Sequence, residues 1–382
     1  MKYPNLFAQI GKTEAEIDAR IAAAFRAIFE DETERFYFEP DELHGYMLDT
    51  GNIDARTEGM SYGMMMAVQM DRRDIFDRLW RFSVDYMLLR SGRHAGYFAW
   101  SVKPDGTHNA EGPAPDGEEY YAMALLFAAA RWGGDYAEAA REILRHCVHQ
   151  DALNENGRAM WDAENKLIRF IPEVDFSDPS YHLPHFYALF AQGCDARDRE
   201  FWRAASAASR EYIAKACHPV TGLAPEYAEY DGSTKLLFGK NMAFFSDAYR
   251  VGMNIGLDAA WFGPTAALTD AARRLQATVA NNPKLLETAC QLDGSLEGTP
   301  VMHPLGLLAT TAAASLATGD LDWVGRLWDA EPRKGARRYY DNCLYFFSLL
   351  MCAGRYVNWM GQGKISEPIL TLHGRDGTIN SV

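Results

Sequence analysis

The sequence predicts an all-α fold, an (α/α)6 toroid of six inner and six outer helices with small β-hairpins in its loops. Three observations lead there. Strong hydrophobic periodicity is helical wherever it occurs, helices apolar around most of their circumference alternate with amphipathic ones, and the alternation recurs about every 60 residues, room for a helical hairpin plus a structured loop. Apolar helices start near Glu58, Asp116, Ser180, Lys240, His303 and Ala336, which by subtraction are spaced 58, 64, 60, 63 and 33 residues apart. Amphipathic partners over about 13–30, 73–89, 135–149, 197–215, 264–281 and 320–330 complete six pairs.

Thr13 and Glu16 stand in capping-box spacing ahead of the first outer helix. The inner stretch RTEGMSYGMMMAVQMD, Arg56 to Asp71, is so rich in methionine and small residues that it belongs inside other helices, with Thr57 expected as its N-cap and Glu58 in its first turn. Its outer partner RDIFDRLWRFSVDYMLL sets Ile75, Phe76, Leu79, Trp80, Met87 and Leu88 on one stripe, with Arg and Asp opposite. DGEEYYAMALLFAAARW, SYHLPHFYALFAQ, KNMAFFSDAYRVGMNIG, HPLGLLATTAAASLA and ARRYYDNCLYFFSLLMCAG continue the inner series. Loops entering inner helices, such as HAGYFAWSVKPDGTHNAEGPAP, are crowded with Gly, Pro, Asp and aromatics, and β-hairpins are expected there. No Pro/Gly/Ser-rich linker divides the chain, so residues 1–382 are expected to form one catalytic domain, ending in a tail from about 360.

Composition narrows the function. The 382 residues are 48% hydrophobic and 24% charged, enough apolar material for a large core. The net charge of −14 comes with no Lys/Arg block to follow a phosphate backbone and no basic amphipathic face, so neither nucleic acid nor membrane is an expected partner. The amino terminus lacks the run of 7–15 apolar residues of a leader, and no stretch approaches the roughly 20 of a membrane span, so a cytoplasmic protein is expected. Cys147, Cys194, Cys217, Cys290, Cys343 and Cys352 form no CxxC pair or framework, which suggests reduced, buried thiols and no metal site. No cofactor is expected, and a monomer is.

The candidate chemistry sits where loops enter inner helices, so several junctions should face one mouth of the toroid. Glu58 alone reads as a first-turn acid favoured by the helix dipole at ~0.3–1 kcal/mol, but the helix behind it is too apolar for a surface element. Asp116 stands at the equivalent junction one period later, where Glu119 also allows a capping box. Asp247 falls about two turns into an apolar stretch, where Asp is a poor helix former and an unpaired carboxylate is costly. Arg250, three residues on, can reach it from the same face, either as a structural ion pair or to hold a base ionised. Two carboxylates of separate roles, together with Tyr97, Phe98, Trp100, Trp161, Tyr181, Tyr339 and Tyr340, suit glycoside hydrolysis, though such aromatics also serve packing. Composition alone does not decide.

TEGMSYGMMMAVQMD, APDGEEYYAMALLFAAARWG, DPSYHLPHFYALFA, NMAFFSDAYRVGMN and YYDNCLYFFSLLMCAG together resemble glycoside hydrolase family 8, over about residues 10–357. The resemblance implies an (α/α)6 barrel and inverting hydrolysis of β-1,4-glycans, and is strongest to the branch that releases xylose from the reducing end of xylooligosaccharides. It implies Glu58 as general acid, Asp247 as general base and Arg250 as the residue orienting that base. Asp116 is implied to hold and distort the −1 sugar, and Tyr181 to position the attacking water. Tyr62, Trp100, Tyr339 and Tyr340 match substrate-binding positions, Trp100 and Tyr340 as stacking aromatics. Glu58 is expected to be the protonated member, raised by its apolar helix and by Asp116 nearby.

In that branch a His-Pro loop closes the cleft beyond one leaving-group sugar, and Met302, His303 and Pro304 supply such a loop, which reads equally as a rigid helix entry. His303 would then meet the anomeric hydroxyl. Two alternatives stay open: an endo-acting xylanase, cellulase or chitosanase of the same family, and a non-hydrolytic (α/α)6 sugar epimerase or sugar-binding protein.

Overall fold

The computed structural model describes residues 3–237 and 244–361. Lys240, an expected helix start, and the tail beyond 361 lie outside the described residues. Among the described residues, twelve principal helices alternate between an outer and an inner position. The outer set is α1 (Glu14–Phe29), α3 (Arg73–Phe82), α5 (Tyr136–Leu153), α7 (Arg199–Ala216), α9 (Ala266–Asn281) and α11 (Leu321–Asp329). The inner set is α2 (Thr57–Gln69), α4 (Pro115–Trp132), α6 (Pro184–Gly193), α8 (Arg250–Phe262), α10 (Pro304–Ala313) and α12 (Arg338–Cys352). Each inner helix packs on the next in order and α12 packs back on α2, closing the ring.

Local chemistry accounts for the helix ends. Thr13 and Glu16 form the expected capping box at α1. Proline at the first position opens α4, α6 and α10, where its missing N–H costs nothing. Thr57 is not the cap of α2: Arg56 occupies that position without a side-chain hydrogen bond, and Thr57 is the first helical residue. The capping box read at Asp116 is also absent, because Glu119 accepts from Tyr187 and Glu118 from the Phe98 N–H instead. The helix expected to carry Asp247 two turns inside it begins later. Asp247 lies in a 3-10 turn, Ser246–Tyr249, that enters α8.

The burial pattern follows the composition. Met60, Met64, Met65 and Met66 of α2 are fully buried, each contributing about 1.5–3 kcal/mol relative to exposure. The outer helices bury one stripe, as Ile75, Phe76, Leu79 and Phe82 do in α3, which then continues through a π turn, Ser83–Met87. Gly117 lets α2 and α4 start side by side, since a Cβ there would lie 2.4 Å from the Thr57 Cβ.

Strands are short. β1 (Tyr37–Phe38) pairs with β2 (Tyr46–Met47), and β5 (Thr288–Cys290) with β6 (Leu296–Pro300), both as antiparallel hairpins. β3 (Ala55–Arg56) pairs with β4 (Ser101–Val102), so the aromatic loop before α4 is tied to the entry of α2 rather than folding wholly on itself. All six cysteines are buried and unpaired. No helix among the described residues is long and apolar enough to cross a membrane.

Candidate active site

Every inner helix brings a side chain to the same end of the ring from its first turn or the residues just before it. Glu58 comes from α2 and Asp116 from α4, while Ser180 and Tyr181 come from a 3-10 turn, Pro179–Tyr181, ahead of α6. Asp247 and Arg250 come from the entry of α8, His303 precedes α10, and Tyr339 and Tyr340 lie in α12. All of these except Ser180 and Arg250 line a cavity of about 400 Å³.

Arg250 is its pivot. The guanidinium is 3% exposed, and Nη1 donates to Glu58 Oε2 at 3.2 Å, to the Tyr62 hydroxyl at 2.8 Å and to Asp116 Oδ2 at 3.0 Å. Nη2 donates to Ser180 Oγ at 2.9 Å and stands 3.5 Å from Asp247 Oδ2. The expected Arg250–Asp247 pair is therefore the longest of five contacts, and Arg250 organises three carboxylates rather than one. Tyr339 donates to Glu58 Oε1 at 2.8 Å, and Tyr340 to Asp247 Oδ1 at 3.2 Å.

One guanidinium cannot neutralise three carboxylates, so the cluster holds on to a proton. Burial raises the Glu58 carboxyl to about 8; Arg250 opposes this, the charges of Asp116 and Asp247 add to it, and Tyr339 opposes it again. Asp116 is also raised by burial, against Arg250 and with Asp247. The Glu58 side chain is still 15% exposed and lines the cavity, so its proton can be delivered. An acid still protonated near neutral pH and a second carboxylate across the same guanidinium can serve general acid–base chemistry.

Glu58, Trp100, Asp116, Tyr181, Asp247, Met302, His303, Tyr339 and Tyr340, all expected at the site, line the cavity. Trp100 is 38% exposed, with the Arg56 guanidinium over its ring at 5.2 Å. The Arg250 guanidinium lies 5.5 Å from the Tyr181 ring centre. Tyr62 was expected at the sugar, but it is fully buried behind Arg250 and supports that residue. Pro304 is the first residue of α10, behind the lining. Of the other aromatics singled out, Tyr97, Phe98 and Trp161 belong to the core, Tyr97 donating to backbone carbonyls of His146 and Arg158.

Sequence reasoning missed several lining residues: Asp49, Asn52 and Arg56 on one loop, Phe170, Ile171 and Tyr227 on another side, and Arg337. Arg56, two residues before Glu58 and held by Asp49 and Asp54, is the one its position could have flagged. Among the described residues, no group of three or more His, Cys, Asp or Glu side chains is placed to hold a metal ion.

Residues 42–354 match the family described as glycosyl hydrolases family 8. A reducing end xylose-releasing exo-oligoxylanase of Halalkalibacterium halodurans is 51% identical over 377 residues, 96% of this chain and 97% of that protein. The reducing-end xylose-releasing exo-oligoxylanase Rex8A of Paenibacillus barcinonensis is 51% identical over 93% of this chain and 96% of its own length. Among solved structures, a glutamate-to-alanine variant of a reducing-end-xylose releasing exo-oligoxylanase complexed with xylobiose superposes with a TM-score of 0.91 at 51% identity, covering 94% of this chain and 98% of that one.

Proposed function

This chain belongs to glycosyl hydrolase family 8 and is a glycoside hydrolase, and from that premise we propose that it releases xylose, one unit at a time, from the reducing end of β-1,4-xylooligosaccharides with inversion. The observation that carries the reading is the placement of Glu58 and Asp247 on either side of Arg250, in a cavity bounded at one side by Met302 and His303.

In this reading Glu58 gives its proton to the glycosidic oxygen as the bond to the leaving sugar breaks. Asp247, steadied by Tyr340 and Arg250, takes a proton from the water that attacks the anomeric carbon from the opposite face. Tyr181 positions that water, and Asp116 holds the −1 sugar as it distorts. A carboxylate pair separated by one guanidinium and its contacts of 3.2 and 3.5 Å suits an inverting enzyme, whose carboxyls stand roughly 6.5–9.5 Å apart so that water fits between. Trp100 offers its face to a sugar, and Met302 and His303, with Pro304 behind them opening α10, form the wall that leaves room for one sugar beyond the cut.

The enzyme acts as a single catalytic domain and a monomer without metal or other cofactor. A cytoplasmic enzyme of this kind would act on short oligosaccharides taken up by the cell. Incubation with xylotriose and cellotriose tests the reading: xylose plus xylobiose is expected from the first and little glucose from the second. Xylotriose left intact, or cellotriose cut as readily, would overturn it.

A further inference from the structure

The wall is held from behind by side chains that the proposed reaction does not use. Asp341, in the first turn of α12, has a side chain 0% exposed. Its Oδ1 accepts the backbone N–H of Gly306 at 2.7 Å, and its Oδ2 accepts from His303 Nδ1 at 3.2 Å and from Arg333 Nη1. The same Arg333 nitrogen donates to the carbonyl of Met302 at 2.7 Å. Asn342 fixes Arg333 in turn, accepting its backbone N–H at 2.7 Å and donating to its carbonyl at 2.9 Å. The backbone of the wall on both sides of His303, and the ring of His303 itself, thus end on one carboxylate–guanidinium pair.

A carboxylate only accepts hydrogen bonds, so the hydrogen of a neutral His303 sits on Nδ1 and Nε2 is left as a lone pair. The ring meets Tyr340 at 4.7 Å between centroids, and Tyr340 donates to Asp247, so the wall is coupled to the reacting end of the cavity. A lone pair at a closed end takes a hydroxyl hydrogen, and a sugar's anomeric hydroxyl is free only at the reducing terminus.

We propose that Asp341 is a positioning residue for one-sugar specificity: with Arg333 it sets the place of the Met302–His303 wall and the tautomer of His303, and so refuses chains with more than one sugar beyond the cut. The proposal rests on the function proposed above. Wild-type digestion of xylotetraose separates the two: failure to give xylose and xylotriose sinks that function whatever Asp341 does.

Asp341→Asn keeps an acceptor for Gly306 and removes the charge, while Arg333→Met, at a side chain 28% exposed, loosens the wall with less risk to folding. With folding verified by circular dichroism, both are expected to make xylobiose from the reducing end of xylotetraose, its share of first product rising about tenfold, the effect of one hydrogen bond of ordinary strength. Asp341→Asn should also lose a similar factor of preference for xylotriose over reduced xylotriose, and shift the His303 tautomer in nitrogen NMR spectra. Folded variants that lose only kcat, with wild-type products, would make Asp341 merely structural and overturn the proposal. If Asp341→Asn does not fold, the products of Arg333→Met decide alone.

Discussion

Tyr339 donates its hydroxyl hydrogen to Glu58 Oε1 across 2.8 Å, and the residue following Glu58 is the glycine that allows it. A Cβ at position 59 would stand 2.6 Å from the Tyr339 hydroxyl oxygen. Arg250 faces the other oxygen, Oε2, and can only donate. Tyr339 donates to Oε1 of the ionised carboxylate; when Glu58 takes up a proton it goes on Oε1, and the Tyr339 hydroxyl, which can also accept, turns to receive it.

Tyr339→Phe should accordingly lower kcat/KM by about 2- to 10-fold, the range for a hydrogen bond between neutral groups, since the active Glu58 is protonated. Because the tyrosine holds the Glu58 carboxyl down against burial, the basic limb of the pH profile should also move to higher pH. Gly59→Ala should lose activity in the same way, by displacing the ring. A Tyr339→Phe profile superimposable on that of the wild type would remove Tyr339 from the account.

Glu58→Ala and Asp247→Ala should each cost about 10²- to 10⁴-fold in kcat, as for a general acid or base, with circular dichroism unchanged. Near-wild-type turnover by either variant would exclude that residue as acid or base.

Stability should carry the mark of the raised carboxyl. Glu58 is shifted from 4.5 to about 8 by burial first, so across that window the unfolded chain has lost a proton that the folded chain keeps. Folding stability then falls as pH rises from about 4.5 to 8. Glu58→Gln removes this contribution, while Asp116, raised in the same direction, stays in both proteins. Thermal melts should show the variant gaining on the wild type between about pH 5 and pH 8. A difference independent of pH would mean that the folded-state carboxyl is not raised.

The stereochemical outcome follows from placing water, not a covalent bond, at Asp247. The reducing end newly formed from a β-1,4 substrate should appear first as the α-anomer and then mutarotate. Early NMR spectra showing the β-anomer would contradict both the inverting geometry and the role given to Tyr181.

Much of this was legible in the sequence for local reasons. The methionine-rich stretch after Glu58 marked an inner helix and a carboxyl that burial would raise, and both features are present. The Thr13–Glu16 spacing marked the start of α1. Asp247 was placed too deep in its helix because FFSDAYR continues an apolar pattern, whereas the chain takes a positive φ of 30° at Ser246 and a 3-10 turn before α8 begins. Spacing three residues apart revealed that Arg250 could reach Asp247, but not that its closer partners, Glu58, Tyr62, Asp116 and Ser180, come from three other inner-helix entries. Such contacts exist only once the ring closes. The same holds for Asp49, Asn52, Phe170 and Arg337, loop residues with no periodicity to announce them.

The central claim, that the cut falls one sugar from the reducing end, is tested most directly with xylotriose carrying a ¹³C label in its reducing-end unit. The expected first products are labelled free xylose and unlabelled xylobiose. Label recovered in xylobiose, with unlabelled xylose released, would place the cut at the other end and contradict the account.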